Sequence, residues 1–514
     1  MFTKEDLKQL KEKGISEEMA LGQIKNFKKG FPFINLSAPA TEGKGIIKMD
    51  NRQLEYYAHF YEKISPNLSV VKFVPASGAA TRMFKDLYSW LEKLESGIDV
   101  KTLMAQDRDA ESFFSQLDTF AFWENLVEVM KEKGLDAHDC LEKGDCVPIL
   151  TNLLDDVGLG YALLPKGLLK FHRYVGFTRT AAEEHLAEGA NYARDAQRKV
   201  RLHFTVSSEH RGRFINHMGE VLTKYEQEYD VSFEVKFSVQ KPSTDTLAVD
   251  LENKPFRNDD GSLLFRPGGH GALIQNLNEL GQDVVFIKNI DNVVPDSLKE
   301  QTFLYKKALG GLLVSIQSKI FDILQSIDND SLTLEEYEKT KSFLIDELNI
   351  DPVLLPEDLT DGKKVLKDIL DKPIRICGMV QNVGEPGGGP FWVKNPDNKG
   401  QSLQIVESSQ VNHKDQGQKT IFEQSTHFNP VDLVCGLKNY QGELFDLTQY
   451  VDPSTGFISQ KSKDGKDLKA QELPGLWNGS MAGWITLFVD VPLVTFNPVK
   501  TIMDLLRKEH VQTR

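Results

Sequence analysis

Apolar positions along this chain switch between two periods. LSVVKFVP, residues 68–75, is a short apolar run suited to one buried strand, and it ends in the small-residue turn ASGAATRM. From 84 to 147 the apolar residues recur every three to four positions, as in DLYSWLEKL and WENLVEVMKEKG, which predicts a set of amphipathic helices inserted as a lid or subdomain. From about 165 the two periods alternate. TRTAAEEHLAEGANYARDAQRKV predicts a long helix, VRLHFTV a strand and RFINHMGEVLTKYEQEY a helix. VSFEVKFSV predicts a strand, GALIQNLNEL a helix start and DVVFIKNI another strand. Strands alternating with helices predict a mostly parallel, doubly wound α/β sheet. Residues 296–371 read as helical again, and 373–514 as shorter strands with more Gly and Pro. Three regions are expected: an N-terminal helical extension at 1–66, an α/β core at 67–371 carrying the insertion at about 84–147, and an α+β region at 372–514.

Composition narrows the class without naming it. The chain has 514 residues, 40% hydrophobic and 26% charged, with a formal net charge of −14. An acidic chain is a poor partner for nucleic acid, whose affinity rests on clustered Lys and Arg. No run approaches the roughly 20 apolar residues of a membrane span. The charged start MFTKEDLKQLKEKG lacks a signal-peptide core. Cys140, Cys146, Cys377 and Cys435 have no zinc spacing and are too few to staple a chain of this length. A cytoplasmic protein without nucleic-acid or membrane partners is expected.

An acidic protein that binds phosphate must concentrate a few cations locally. Ala76, Ser77, Gly78, Ala79, Ala80 and Thr81 form a small-residue turn after a strand, where backbone N–H groups approach an anion closely, and Arg82 adds a fork of donors. The alternative is a tight strand–helix turn with a surface Arg. Lys166, in Leu164-Pro165-Lys166-Gly167, is a second cation, weak by itself because most lysines are solvated. Asp291, in Lys288-Asn289-Ile290-Asp291-Asn292, ends a strand with a carboxylate suited to Mg²⁺ or to capping the next segment. Gly384 to Pro390 is a flexible turn fit for a ligand or for a plain loop. No HExxH site, nucleophile elbow or His/Cys cluster points to hydrolysis.

The small-residue loop with Thr81-Arg82-Met83, followed by Pro165-Lys166, resembles the signature of sugar-1-phosphate nucleotidyltransferases. It departs from it in having Ala at 79 or 80 for a glycine and about 80 residues inserted before the lysine. Three further segments resemble the UDP-sugar pyrophosphorylase branch: Phe237-Ser238-Val239-Gln240-Lys241-Pro242, Arg266-Pro267-Gly268-Gly269-His270-Gly271, and Phe496-Asn497-Pro498-Val499-Lys500-Thr501 with Asp504-Leu505-Leu506. The matches stand in family order from about 72 to 506. The chain is also identified as a member of an uncharacterised bacterial family, a domain of unknown function set beside these nucleotidyltransferases by fold.

The resemblance implies a GT-A-like nucleotidyltransferase fold and a reaction joining an NTP, UTP for this branch, to a sugar-1-phosphate with release of pyrophosphate. It implies uracil at Gln240, the nucleotide near Gly269 and His270, phosphates at Arg82, Lys166 and Lys500, and Mg²⁺ on Asp291. Sugar hydroxyls are expected at Glu407, in a strand similar to a family strand, and at Asn478, beside Trp477. An exposed edge-strand Glu and a packing Trp are the plain readings of the last two. The alternatives for the whole chain are a non-catalytic nucleotide-sugar sensor, favoured by the alanine in the loop, and a glycosyltransferase on the same fold. The latter needs an Asp-x-Asp site, which Asp283 and Asp291 do not form.

Overall fold

The computed structural model describes residues 2–78, 80–385, 387–397 and 399–511. The chain divides into two compact units. Unit 1 comprises residues 1–70, 238–287 and 306–492; unit 2 comprises 71–237, 288–305 and 493–514. Both are α/β.

In unit 1 the strands run in the order Thr41–Glu42, Gly45–Ile47, Ile485–Asp490, Ile374–Gln381, His427–Gly436, Val284–Ile287. His427–Gly436 runs against both of its neighbours, whereas Thr41–Glu42, Gly45–Ile47, Ile485–Asp490 and Ile374–Gln381 pair in parallel. Ile374–Gln381 is buried except at its last residue, as a central strand covered on both faces must be. The helix Asn51–Ile64 opens on a capping box, Asp50 with Gln53. It meets the long helix Lys299–Asp328 at Gly310 and Gly311. A Cβ on Gly311 would stand 2.0 Å from the Tyr57 carbonyl oxygen, and one on Gly310 would stand 2.7 Å from the Tyr61 ring. Two glycines inside a helix are therefore the condition for close backbone approach. Nearer the N-terminus, the helices Lys4–Lys13 and Glu17–Lys29 with their connection bury Leu10, Ile15, Ile24 and Phe27 against Leu247, Val249 and Leu263.

Unit 2 carries the strands Val70–Pro75, Lys199–Val206 and Ser232–Val239, the first two paired in parallel. Six helices between Lys85 and Leu154 fill the segment expected to be helical. Their buried faces, among them Trp90, Phe113, Phe122 and Leu153, share one core with Val74 and Phe204 of the sheet and Val499 and Leu505 near the C-terminus. The long helix expected from 178 to 200 is shorter. Phe177–Thr180 is a strand paired with Lys170–Tyr174, the helix is Ala181–Tyr192, and Lys199 already belongs to the next strand. Thr180 stops the strand and caps the helix, its hydroxyl accepting from the Glu183 N–H.

That helix is buried on every side, including its charged residues. Glu188 accepts from Lys72 Nζ at 2.7 Å and from Lys288 Nζ at 2.8 Å, all three side chains essentially inaccessible. Burial alone would raise the Glu188 carboxyl. The Lys288 and Lys72 ammonium groups more than offset this and hold it well below the usual carboxylate range. Glu184, also fully buried, accepts from His172 Nδ1 at 2.8 Å and Tyr174 Oη at 2.7 Å, and it pairs with Lys299. Between them His185, whose protonated form burial and Lys72 disfavour, is neutral and donates from Nε2 to the Ile290 carbonyl at 3.2 Å. The cluster joins the base of the strand leading to the 76–82 turn, through Lys72, to the segment leading to Asp291, through Lys288 and Ile290.

Two outcomes follow from this packing. A Gly→Ala change inside a helix ordinarily stabilises by about 1 kcal/mol. Gly311→Ala is expected to destabilise instead, by about 1–3 kcal/mol, because the new methyl overpacks against the Tyr57 backbone. The urea midpoint reports the sign, and a rise would contradict the close approach. Glu188→Gln breaks a buried ion cluster and should cost about 3–5 kcal/mol at neutral pH. Because the Glu188 carboxyl is depressed, its contribution is present above the unfolded value near pH 4.3 and is lost as pH falls toward the folded one. Wild type should therefore lose stability on acidification below about pH 4.3 more steeply than Glu188→Gln, measured by unfolding midpoints across pH.

Candidate functional site

Unit 2 gathers four sequence segments around one lysine. Pro165 directs the chain into the 3-10 turn Lys166–Leu168, where Gly167 is buried. A Cβ on Gly167 would meet the Phe214 ring at 2.7 Å and Ile290 Cγ1 at 3.1 Å, so only glycine lets this turn lie against the 288–291 segment. Lys166 Nζ then donates to Asp291 Oδ2 at 2.9 Å and to the Val499 carbonyl at 2.8 Å. Its backbone N–H reaches the Gly78 carbonyl at 3.3 Å. The side chains of Lys166 and Asp291 are 14% and 21% exposed, so the pair is within reach of a ligand, unlike the sealed cluster at Glu188.

Backbone pairing fixes each segment. Ala76 N–H bonds to Thr205 O at 2.8 Å, and Ile290 N–H to Pro75 O at 3.1 Å. Ser77, Gly78, Thr81 and Arg82 are exposed, Ala76 and Ala80 are buried, and Ala79 lies outside the described residues. The turn leads into the short 3-10 segment Ala80–Arg82, and the following helix begins only at Lys85. Val499 N–H bonds to Asp291 O at 3.0 Å. Asn292, buried beside Asp291, donates from Nδ2 to Thr495 O at 3.1 Å and accepts the Asn497 N–H at 2.9 Å, so it anchors the C-terminal segment. Lys500 is exposed, and its backbone N–H is held by Asp504 Oδ2 at 2.7 Å, which also accepts from Thr501 N–H. The Lys-Thr…Asp spacing is thus a capping box that fixes where Lys500 leaves the backbone.

The remaining expected residues belong to unit 1. Gln240 follows the strand Ser232–Val239, whose end Asn276 holds through Ser238 Oγ and Val239 O. The Pro267–Gly271 turn presses on the backbone at 473–475. A Cβ on Gly271 would stand 1.9 Å from Pro474 O, and Gly269 has φ +78°. His270 Nδ1 accepts the Leu476 N–H at 3.0 Å while its ring stacks on Trp477, centroids 4.7 Å apart. With Nδ1 accepting, the neutral ring carries its proton on Nε2. Glu407 Oε1 accepts from Asn429 Nδ2 at 2.9 Å and Asn478 Nδ2 at 3.3 Å. The Oδ1 atoms of both asparagines are buried with no hydrogen-bond partner among the described residues. Asn478 also lines a cleft of about 780 Å³ with Gln404, Tyr450 and Asp452.

Asp291 offers one carboxylate, and among the described residues it joins no group of three His, Cys, Asp or Glu ligands. One hard oxygen donor at a half-buried position fits Mg²⁺, which keeps several waters and takes its other ligands from substrate phosphates. Sequence reasoning missed two things. The charged residues of Ala181–Tyr192 drew no assignment, although Glu183, Glu184, His185 and Glu188 fall on more than one face of a short helix. Asn429, in the polar stretch Thr426-His427-Phe428-Asn429, drew no role because nothing near it in sequence predicts its bond to Glu407.

None of the described helices is long and apolar enough to cross a membrane, and the four cysteines are free and buried. The chain is similar in fold to a mutant UDP-glucose pyrophosphorylase from Leishmania major solved with UDP-glucose, at 14% identity, TM-score 0.45, covering 98% of this chain and 77% of that one. A uridine diphosphate N-acetylglucosamine pyrophosphorylase from Trypanosoma brucei, solved with an inhibitor, gives 12% identity, TM-score 0.47 and coverage of 96% and 76%. A UDP-glucose phosphorylase from Trypanosoma brucei gives 14% identity, TM-score 0.44 and coverage of 98% and 77%. No curated protein matches by sequence. Residues 3–511 match the family described as Domain of unknown function (DUF4301), and the chain belongs to that family.

Proposed function

We propose that this protein is a nucleotidyltransferase that joins an NTP, UTP by preference, to a sugar-1-phosphate. The observation that carries the reading is the convergence on Lys166 of the 76–82 turn, Asp291 and the Pro498-Val499-Lys500 segment, parts of the chain more than 300 residues apart that the motif resemblance assigns to one phosphate site. An acceptor phosphate oxygen attacks the α-phosphorus, the bond to the β-phosphate breaks, and pyrophosphate leaves. The acceptor is already an anion at neutral pH, so no general base is required. Positioning and charge stabilisation carry the catalysis.

Arg82 and the exposed backbone of Ser77 and Gly78 would hold the departing phosphates. Lys166 and Lys500 would stabilise charge at the α-phosphate and the acceptor phosphate. Asp291 would hold Mg²⁺, which screens the triphosphate and orients it. The ion pair of Lys166 with Asp291 then acts as a placeholder: phosphate oxygens replace the carboxylate as partner of the lysine. The motif resemblance assigns base and nucleotide contacts to Gln240, Gly269 and His270, which lie within unit 1. Glu407, with the carboxamide oxygens of Asn429 and Asn478 that have no hydrogen-bond partner among the described residues, offers acceptors for sugar hydroxyls.

Pyrophosphate release across NTPs and sugar-1-phosphates with Mg²⁺ tests the reading. Turnover with one pair is expected, abolished or nearly so in Arg82→Ala and reduced about 10²–10³-fold in Lys166→Met and Lys500→Ala. Turnover within about threefold of wild type in both lysine variants would refute the assignment. Silence across the panel with nucleotide-sugar binding intact would make the protein a sensor rather than an enzyme.

A further inference from the structure

Unit 1 holds a second constellation, one that the proposed reaction does not use. Among the described residues one group of three metal-ligating side chains lies close together: Glu42, His427 and Asp490, with donor atoms all within 4.8 Å of one another. The sheet explains their meeting. Glu42 and Asp490 are the last residues of the parallel strands Thr41–Glu42 and Ile485–Asp490. His427 opens the reversed strand His427–Gly436 and pairs with Gln381, the last residue of Ile374–Gln381. All three therefore sit toward the carboxyl end of the parallel strands, the end where open α/β sheets bind ligands.

We propose that Glu42, His427 and Asp490 bind a divalent transition-metal cation, Zn²⁺ being the best fit to their donors. One imidazole nitrogen with two carboxylates suits a borderline cation, whereas Ca²⁺ and Mg²⁺ favour oxygen alone. His427 is 2% exposed, and its Nε2 lies 3.2 Å from Asp490 Oδ1. Its Nδ1 lies 2.8 Å from the Thr426 hydroxyl. This is the outer partner that orients a metal-binding histidine. Without metal, Nε2–H donates to Asp490 and Nδ1 accepts from Thr426. With metal on Nε2, the ring proton moves to Nδ1 and Thr426 becomes the acceptor, which a hydroxyl allows.

Lys48, which bonds both carboxylate oxygens of Glu42 at 2.9 and 3.0 Å, has to release them. Both side chains are more than one-third exposed, so the exchange is unhindered. Zinc at about 2.1 Å from each ligand separates them by roughly 3.3 Å, so Glu42 moves inward while His427 and Asp490 already stand at that spacing. Three protein ligands leave a coordination position open, as in catalytic rather than structural sites. The inference is independent of the nucleotidyltransferase reading.

The test is a Co²⁺ titration of the chelator-treated full-length protein, read by visible absorption and calorimetry. The expected result is a d–d spectrum saturating at one equivalent and displaced by Zn²⁺. It should be lost in His427→Ala and Asp490→Asn and weakened in Glu42→Gln, whose exposed position leaves folding intact. Thr426→Val should weaken binding about 10–100-fold through the orienting hydrogen bond. The proposal is overturned if the folded wild type gives no saturable spectrum, or if the spectrum is unchanged in Glu42→Gln and His427→Ala.

Discussion

The ammonium of Lys166 lies between a carboxylate oxygen of Asp291 and the carbonyl of Val499, at 2.9 and 2.8 Å, in a place that is neither sealed nor fully wet. An ion pair in such a position is strong enough to hold three stretches of chain in register. It is also accessible enough to change partners, since part of its charge is still solvated. Everything around it serves that placement. Gly167 removes the side chain that would push Lys166 away from Ile290. Asn292 spends its carboxamide on the backbone at 495 and 497, leaving Asp291 beside it to face the lysine.

Behind that exchangeable pair stands a locked cluster of three charges. Lys72, Glu188 and Lys288 have no solvent to exchange with, and separating them would leave charges stranded in a low-dielectric core. Their contribution is geometric. Glu188 clamps the strand that ends at the 76–82 turn to the segment that ends at Asp291, and His185 holds the Ile290 carbonyl one residue short of the carboxylate. Pre-positioned charges of this kind need no reorganisation when a polyanion arrives. The burial of the cluster and the partial exposure of the site are two parts of one arrangement.

Much of the fold was readable from the periods of apolar residues. The strand at 70–75, the helices between 85 and 154 and the mostly parallel α/β class follow from them. The boundary of Ala181–Tyr192 was not, because Thr180 ends a strand and caps a helix at the same residue, a choice made by pairing with Lys170–Tyr174 rather than by local preference. The reversed strand His427–Gly436 was also hidden, since direction within a sheet leaves no trace in apolar spacing. At the site, small residues after a strand and lone Lys and Asp at turns were visible as candidates. Their hydrogen bonds were not, because contacts across more than a hundred residues depend on tertiary packing. The burial of the charges of 181–192 was hidden for the same reason, since their partners stand on segments distant in sequence.

The most direct test of the central claim is the affinity of metal-free UTP, in excess chelator, for wild type, Lys166→Met and Asp291→Asn by calorimetry. If the Asp291 carboxylate holds Lys166 in place of a phosphate, Asp291→Asn should bind more tightly than wild type by about threefold or more, because a competing and repelling anion is gone. Lys166→Met should bind about ten- to a hundredfold more weakly, the loss of one charge-assisted hydrogen bond. Equal affinity in all three proteins, each shown to be folded, would contradict a phosphate site built on Lys166.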